Sequence, residues 1–561
     1  MATLLLITLF MPMAGAVLVR GDRRTARWVA LGTTLCTLAA AAVLVFSFPG
    51  GVAPFAATEL PWLGGSGAPV NVCFSVAIDG LGLWLFGLSA LLMVVAVLIG
   101  WEAIDRQTTL YYRLLLILET GMMGVFVARD IILFYVFFEF TLIPLFFLIG
   151  IWGSEQRRYA AIKFFLFTLA GSVLTFLGLI SIVLWVFYHP AGASDGRLTF
   201  SIPALTEALR WHPMDRTVQM WIFAALFAGF AIKVPLFPLH TWLPLAHVQA
   251  PTAGSVILAG VLLKLGGYGF ARFSLPMLPD ASAALMPVML WISLAGIVYG
   301  ALVALAQSDI KRLIAYSSVS HLGFCMLGLF AANRLSTQGG VLQMVNHGLS
   351  TGGLFAVVGM LYERYHTRQI ADLGGLTRRL PILAFFALVL TLASIGLPGL
   401  NGFAGEFLLL LGMFQRAWGE ALTRDAWQFR VIAVLSVSGV VLGAWYMLWM
   451  YQRVFFGPLR EPHHAAAEYA QHHLPARDLS LREILALSPL LVFILWIGLQ
   501  PSFFLNRMAP TLDQLLPPVT AARLEMAGRH DAGAWAVERG TWTGHASRPT
   551  PHAPRPTTHN L

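Results

Sequence analysis

The stretch FAIKVPLFPLHTWLP at 230–244, followed by APTAGSVILAGVLLKLGGYG at 250–269, sets two lysines, Lys233 and Lys264, in otherwise apolar sequence. Pro235 and Pro238 cannot continue a helical hydrogen-bond ladder. The apolar run at 217–239 is therefore predicted to be a spanning helix that breaks within KVPLFPLH at 233–240. The run at 253–271 is long enough to span a bilayer and places Lys264 near mid-depth. A charge there costs roughly 2.5–3.5 kcal/mol on insertion scales, so a buried lysine points to function.

The rest of the chain agrees with a membrane reading. Of 561 residues 58% are hydrophobic and 11% charged, and the mean hydropathy is +0.75, which leaves too little polar surface for water. Beyond the two runs above, spanning runs fall near 2–19, 28–48, 79–100, 111–128, 131–150, 162–188, 284–306, 310–330, 340–361, 381–414, 431–456 and 483–505. The expected fold is an all-α membrane protein of about fourteen transmembrane helices. The twelfth, interrupted by GLPGLNGFAGE at 396–406, is predicted to break like the seventh. The first run has no basic region before it and is read as a helix, not a removable signal. Helices 4–8 and 9–13 form two groups of five, each with its broken helix in fourth place. An odd number turns the second group over relative to the first, so an inverted repeat is expected. The expected division is 1–110 (helices 1–3), 111–273 (first repeat), 284–456 (second repeat), 457–523 (cytoplasmic loop and helix 14) and 524–561. That last part, rich in Pro, His, Thr and Arg, is expected to be a disordered tail.

The net charge of +9 comes from basic residues scattered over short loops, which argues for topology and against nucleic-acid binding. Lys and Arg in or beside the loops after odd-numbered helices number 19, against 9 after even-numbered ones. The odd-helix loops are thus expected to be cytoplasmic and both termini periplasmic, in a bacterial inner membrane. Cys36, Cys73 and Cys325 are too far apart to suggest a disulfide framework or thiolate metal site, and neither a phosphate-binding loop nor a dinucleotide fingerprint occurs. No cofactor and no metal are expected on this chain. The pairs His463, His464 and His472, His473 in a polar loop receive no role.

Only four of the 36 basic residues are lysines: Lys163, Lys233, Lys264 and Lys311. Arginine keeps its proton under all relevant conditions, whereas a desolvated lysine can release one. Glu139 in FFEFTLIP at 137–144 is central in the fifth segment and is expected to pair with Lys233 at the break of the seventh. His321 and His347 lie near mid-depth in the tenth and eleventh segments and suit a proton relay between Lys264 and Glu406, which follows the twelfth segment's break. The expected relay is Glu139, Lys233, Lys264, His321, His347 and Glu406. Glu102, Glu119, His240 and His247 are secondary candidates, with helix capping or interfacial anchoring as equal alternatives. These groups share a depth, so the path runs in the membrane plane. Lysine and imidazole suit protons better than sodium, which wants a cage of oxygen ligands.

The motifs around Lys233 and Lys264, with SDIKRLIAYSSVSHLGF (308–324), NHGLSTGGLF (346–355) and GLPGLNGFAGEF (396–407), resemble the proton-translocating antiporter-like family of respiratory complex I. The resemblance extends over about 70–460 and is strongest to the M type. It implies two inverted five-helix repeats and a place in the membrane arm of NADH:quinone oxidoreductase, beside L-type and N-type neighbours and the small membrane subunits. It also implies that FMN, iron–sulfur clusters and quinone belong to partner subunits. By resemblance Glu139 and Lys233 match the coupling pair, Lys264 the central lysine, His321 and His347 the bridging histidines, and Glu406 the terminal acid, where L and N types and sodium/proton antiporter subunits carry lysine. The chain departs from the pattern at Leu245, where relatives often have aspartate. The competing readings are a subunit of a multi-subunit sodium/proton antiporter or membrane-bound hydrogenase, and a non-conducting structural spacer.

Overall fold

The structure, a computed structural model, describes residues 1–64, 69–189, 197–419, 426–462 and 477–525. All fourteen expected segments are helical. Eleven are single helices long and apolar enough to span: Arg23–Phe46, Leu83–Ala103, Thr108–Val127, Ile131–Trp152, Arg157–Tyr188, Thr252–Met277, Pro279–Leu305, Ile310–Phe330, Arg334–Tyr365, Ala426–Phe455 and Leu481–Leu499. The first segment is Ala2–Leu18. The seventh and twelfth are broken, as Arg216–Lys233 with Trp242–Gln249 and as Pro381–Ser394 with Asn401–Trp418. In hydrocarbon every backbone polar group needs a partner within the protein, which makes helix the default for each run. Side chains at the ends take up the first free N–H groups: Asp309 accepts from Arg312 N at 2.9 Å, and Asn333 with Ser336, like Ser480 with Glu483, forms a reciprocal cap.

The eighth and eleventh segments are buried along their whole spanning stretch, and the tenth nearly so, whereas fewer than half of the residues are buried in the spanning stretches of the second, sixth, thirteenth and fourteenth. Lys264, His321 and His347 therefore ride on the innermost helices. Large apolar side chains on the outer helices, such as Leu166, Leu177, Val441, Trp445 and Val492, are exposed, as suits a hydrocarbon surround. Small residues let inner helices approach closely. At Gly229 in the seventh segment an added Cβ would lie 2.5 Å from the carbonyl oxygen of Gly171 in the sixth and 1.8 Å from Thr175 Oγ1.

Several features differ from the sequence expectation. The eighth segment is not a uniform helix but alternates α-helix with two π-helical turns, Leu258–Leu262 and Phe270–Ser274. The fourteenth ends at Leu499, short of the expected 505, and a separate helix Pro501–Asp513 follows, because proline starts a new helix there. The chain is also not purely helical. Strands Phe55–Leu63 and Val70–Ile78 form an antiparallel hairpin, with Leu198–Thr199 parallel to the second strand and a short helix Ile202–Trp211 after it. These fill the loops after the second and sixth segments, and their short alternating runs were overshadowed by the longer apolar ones. Asp130 ties this layer to the fifth segment: its carboxylate accepts from Ile132 N (2.8 Å), Leu133 N (3.3 Å) and Cys73 N (3.1 Å). The four paired histidines from His463 to His473, and the tail from 526 on, lie outside the described residues.

Two outcomes test this packing. Gly229→Val forces a side chain between two helix backbones and is expected to destabilise the chain by about 1–3 kcal/mol, read as a lower melting temperature in detergent. Burial pushes the Asp130 carboxyl up to about 6 in spite of its backbone N–H partners. A value raised above the ordinary carboxylate range of about 4 means that the folded state binds the proton more tightly, so stability is lost as pH rises from about 4 through about 6. Asp130→Asn, which keeps the cap, should remove that part of the pH dependence in thermal unfolding measured against wild type.

Candidate functional site

Lys264 follows directly on the first π-turn of the eighth segment and is fully buried. The wide turn changes the direction of its carbonyl groups, and the Lys264 ammonium donates to the carbonyl oxygen of Ala259 within that turn. Its second contact leaves the helix: Nζ lies 2.7 Å from Nδ1 of His347 in the eleventh segment. An ammonium there donates to a neutral imidazole, which places the histidine's own proton on Nε2, an atom buried without a hydrogen-bond partner. The His347 and His321 rings face each other at 5.8 Å between centroids. His321 Nδ1 is 3.4 Å from Glu406 Oε1, and its Nε2 is 3.2 Å from the Ser394 hydroxyl.

Lys264, His347, His321 and Glu406, each no more than 5% exposed, thus form one continuous row through the interior. Two polar side chains of the eleventh segment hold its acidic end. Gln343 Nε2 donates to Glu406 Oε1 at 2.9 Å, and Asn346 Nδ2 donates to Gln343 Oε1 at 3.1 Å and to the Asn401 carbonyl at 2.7 Å, where the twelfth segment resumes. The break also makes room for the carboxylate. Gly396 has φ +71°, and a Cβ on it would stand 2.7 Å from Glu406 Oε2.

The other expected pair is arranged differently. Glu139 and Lys233 form no ion pair within 4.0 Å among the described residues. The Lys233 ammonium lies 4.6 Å from the centre of the Phe138 ring, and Glu139 Oε1 is buried without a hydrogen-bond partner. The physical reason is the neighbouring aromatic face, which supplies Lys233 with a cation–π contact in place of a carboxylate contact.

Of the secondary candidates, Glu119 is wholly buried with both carboxyl oxygens unpartnered. His240 packs among the rings of Phe237, Tyr299 and Tyr316. His247 is wholly buried, its ring stacked flat on Phe355. Glu102 lies away from the row, at the end of the third segment, where it pairs with Arg482 at 3.2 Å.

Sequence reasoning missed Gln343, Asn346 and Ser394. The first two were within reach of it, since Gln343 precedes His347 by one helical turn and Asn346 adjoins it. It also missed the outer anchor of the eighth segment. Arg272, two turns beyond Lys264, binds Asp79 at 2.5 Å and donates to the Tyr268 hydroxyl at 3.1 Å. Among the described residues no three His, Cys, Asp or Glu side chains cluster as metal ligands.

Comparison with known proteins gives concordant results. A family model described as NADH:quinone oxidoreductase/Mrp antiporter, TM, matches residues 128–425. The NADH-quinone oxidoreductase subunit M of Rhodobacter capsulatus is 41% identical over 528 residues, 92% of this chain and 97% of that protein. The NADH-ubiquinone oxidoreductase chain 4 of Chondrus crispus is 40% identical over 439 residues, 78% of this chain and 82% of that protein. Among solved structures, a chain of respiratory complex I from Thermus thermophilus superposes with a TM-score of 0.78 at 31% identity, covering 91% of this chain and 99% of that one. A chain of the Mrp complex from a Dietzia species shares the fold, with a TM-score of 0.73 at 20% identity over 93% of this chain and 98% of that one.

The row makes a spectroscopic prediction. Replacing Gln343 with Leu removes the amide N–H bound to Glu406, so the carboxyl band of Glu406 in infrared difference spectra should move to higher frequency. A band identical to wild type would show that this hydrogen bond is not made.

Proposed function

The chain belongs to the NADH:quinone oxidoreductase/Mrp antiporter membrane family, and on that premise we propose that it is the M-type proton-translocating subunit in the membrane arm of respiratory complex I. The observation that carries this reading is the buried row from Lys264 through His347 and His321 to Glu406, in contact except for the gap between the two imidazoles. Each member can take up and release a proton, and the row uses no other chemistry. Lys264 hands a proton to His347 across the 2.7 Å contact. Transfer from His347 to His321 crosses the gap between two facing rings, which one water or a ring turn bridges. His321 then protonates Glu406, whose place beside the broken twelfth helix suits release from the interior.

Glu139 and Lys233 supply the control. Lys233 is a buried charge held by a ring face and not by contact with a carboxylate, so its field on the interior depends on where Glu139 is. Two unit charges 4 Å apart interact by about 4 kcal/mol at an effective dielectric constant of 20. A movement of a few ångströms at Glu139, triggered from the redox subunits, therefore changes the proton affinity of nearby amines by whole units. Electrons, FMN, iron–sulfur clusters and quinone remain on partner chains. The neighbours in the arm are L-type and N-type subunits and the small membrane subunits, with the helix bundle in a bacterial inner membrane and both termini periplasmic. The two five-helix groups, 111–273 and 284–456, act as inverted units, one carrying Lys264 and the other Glu406.

Homology weighs against a sodium/proton antiporter subunit: identity to subunit M reaches 41%, whereas the Mrp likeness stands at 20%. Unpartnered buried groups such as Glu119 and Nε2 of His347 weigh against an inert spacer, which gains nothing from keeping them.

The test is proton pumping per electron in assembled complexes carrying Lys264→Ala or Glu406→Ala. Both are expected to lower the stoichiometry while electron transfer on the partner subunits persists. Wild-type stoichiometry in both variants rules out the relay. The His321→Ala, Glu406→Gln double variant should pump no less than either single variant, because groups acting in series are not additive.

A further inference from the structure

Two arginines on the arginine-rich side have no part in the relay. Arg27, near the start of the second segment, lies 5.8 Å from the centre of the Trp101 ring, and Arg482, at the start of the fourteenth, holds Glu102 at 3.2 Å. Trp101 and Glu102 adjoin at the end of the third segment, so both guanidinium groups reach the same helix end. Nε and Nη2 of Arg27, and Nε and Nη1 of Arg482, are buried without a hydrogen-bond partner. Both charges, with that of Arg23, act on the buried Tyr112 hydroxyl of the fourth segment, which also makes no hydrogen bond. The nearby carboxylates leave these donors free. Asp105 pairs with Arg23, Asp22 caps its own helix at Thr25 N (3.2 Å), and Glu102 meets Arg482 through Nη2 alone. Glu363 of the eleventh segment acts on Arg482 but forms no ion pair with either arginine among the described residues.

A guanidinium presents its donors as a planar fork. The acceptor that satisfies two such forks at once carries several oxygens and negative charge, which describes a phosphate. The surroundings say what brings it. Exposed Trp28 packs edge to face on Trp101 at 5.2 Å, and tryptophans at helix ends mark the level of lipid headgroups. Deeper in the membrane, a groove lined only by apolar and aromatic residues lies between the second, third and fourteenth segments, with Leu38, Leu91 and Phe493 at its near end. Leu38 and Phe493 lie equally far along their helices from Arg27 and Arg482, about 16 Å at 1.5 Å per residue. Half of a hydrocarbon core of about 30 Å is about 15 Å, so the chains of a lipid held at the arginines end at this groove.

We propose that Arg27 and Arg482, with the Tyr112 hydroxyl, bind the phosphate of an anionic phospholipid from the leaflet on the arginine-rich side. Its acyl chains fill the cleft between the second and fourteenth segments over the third, joining the first helices of the chain to the last. A zwitterionic lipid brings the same phosphate, but also an ammonium into a patch that holds Arg23, Arg24, Arg27 and Arg482, and like charges set side by side select against it. No member of the site belongs to the proton row, so the site stands or falls apart from the relay.

The test uses the delipidated, assembled complex and phosphatidylglycerol carrying a photoreactive diazirine in one acyl chain. On this chain, cross-links are expected in peptides from 31–46, 90–101 and 485–497, and unlabelled phosphatidylglycerol should compete them away. Phosphatidylcholine with the same chains, and inorganic phosphate in large excess, should not. Replacing both Arg27→Gln and Arg482→Gln should raise the half-saturating lipid concentration roughly tenfold, the worth of a lost charge-assisted hydrogen bond. Arg24→Gln with Arg158→Gln removes the same net charge from exposed positions and should leave that concentration unchanged. Equal weakening by the two double variants reduces the effect to general surface charge and overturns the site. Equal competition by phosphatidylcholine overturns the headgroup choice, and displacement by inorganic phosphate means an anion site without a lipid. Cross-links found only on neighbouring chains mean that a partner subunit covers the cleft, which also sinks the proposal. The competition arms use the wild-type complex and do not depend on any variant assembling.

Discussion

The contact between the Lys264 ammonium and the His347 imidazole is the constraint to which the rest of the interior answers. An ammonium with no exposure to solvent must find acceptors inside the protein. An α-helix offers such an ammonium only the second lone pair of carbonyls that are already bonded. The π-turn at Leu258–Leu262 alters that ladder next to Lys264, and the Ala259 carbonyl becomes one acceptor while His347 of the eleventh segment becomes the other. Both acceptors are neutral. The ammonium is therefore held by contacts that survive its deprotonation, whereas a carboxylate partner would hold it charged.

The two broken helices solve the same problem at different places. At the twelfth segment the backbone released between Ser394 and Asn401 is not left bare: the Asn401 carbonyl accepts from Asn346, and Gly396 presents only hydrogen to the Glu406 carboxylate. At the seventh segment the break follows Lys233, whose charge rests on the Phe138 ring. Glu406 is thus locked into a network of named partners, while Glu139 keeps an unpartnered oxygen. The two breaks thus hold their acids differently, one inside a hydrogen-bond network and one with an oxygen left unpartnered.

The helices were legible because hydrocarbon imposes one rule on every spanning run, and prolines at 235 and 238 marked the seventh break as clearly as glycines did the twelfth. Lys264, His321, His347 and Glu406 could be picked out singly, since an ionisable group within an apolar run is conspicuous. Their contiguity was not legible. It depends on the azimuth of four helices and on a π-turn, and π-turns carry no period that a sequence pattern reveals. Local pattern did not reveal the geometry of Glu139 and Lys233: the charge of Glu139 acts on Lys233 without a contact within 4.0 Å, and the ring of Phe138 lies against the ammonium. The hairpin at Phe55–Ile78 was hidden for a different reason, as short strands next to long apolar runs leave a weak signal.

A row of titratable groups lying at one depth moves charge sideways, and translocation then requires that its ends face opposite sides of the membrane. The geometry provides for this by asymmetry of surroundings. Lys264 is enclosed among the eighth and eleventh segments, whose spanning stretches are wholly buried. Glu406, also buried, lies just beyond the point where the twelfth helix is interrupted and its backbone turns. Outward of Lys264, the Arg272 and Asp79 ion pair, with the Tyr268 hydroxyl, fills the segment's far end, and its two charges largely cancel.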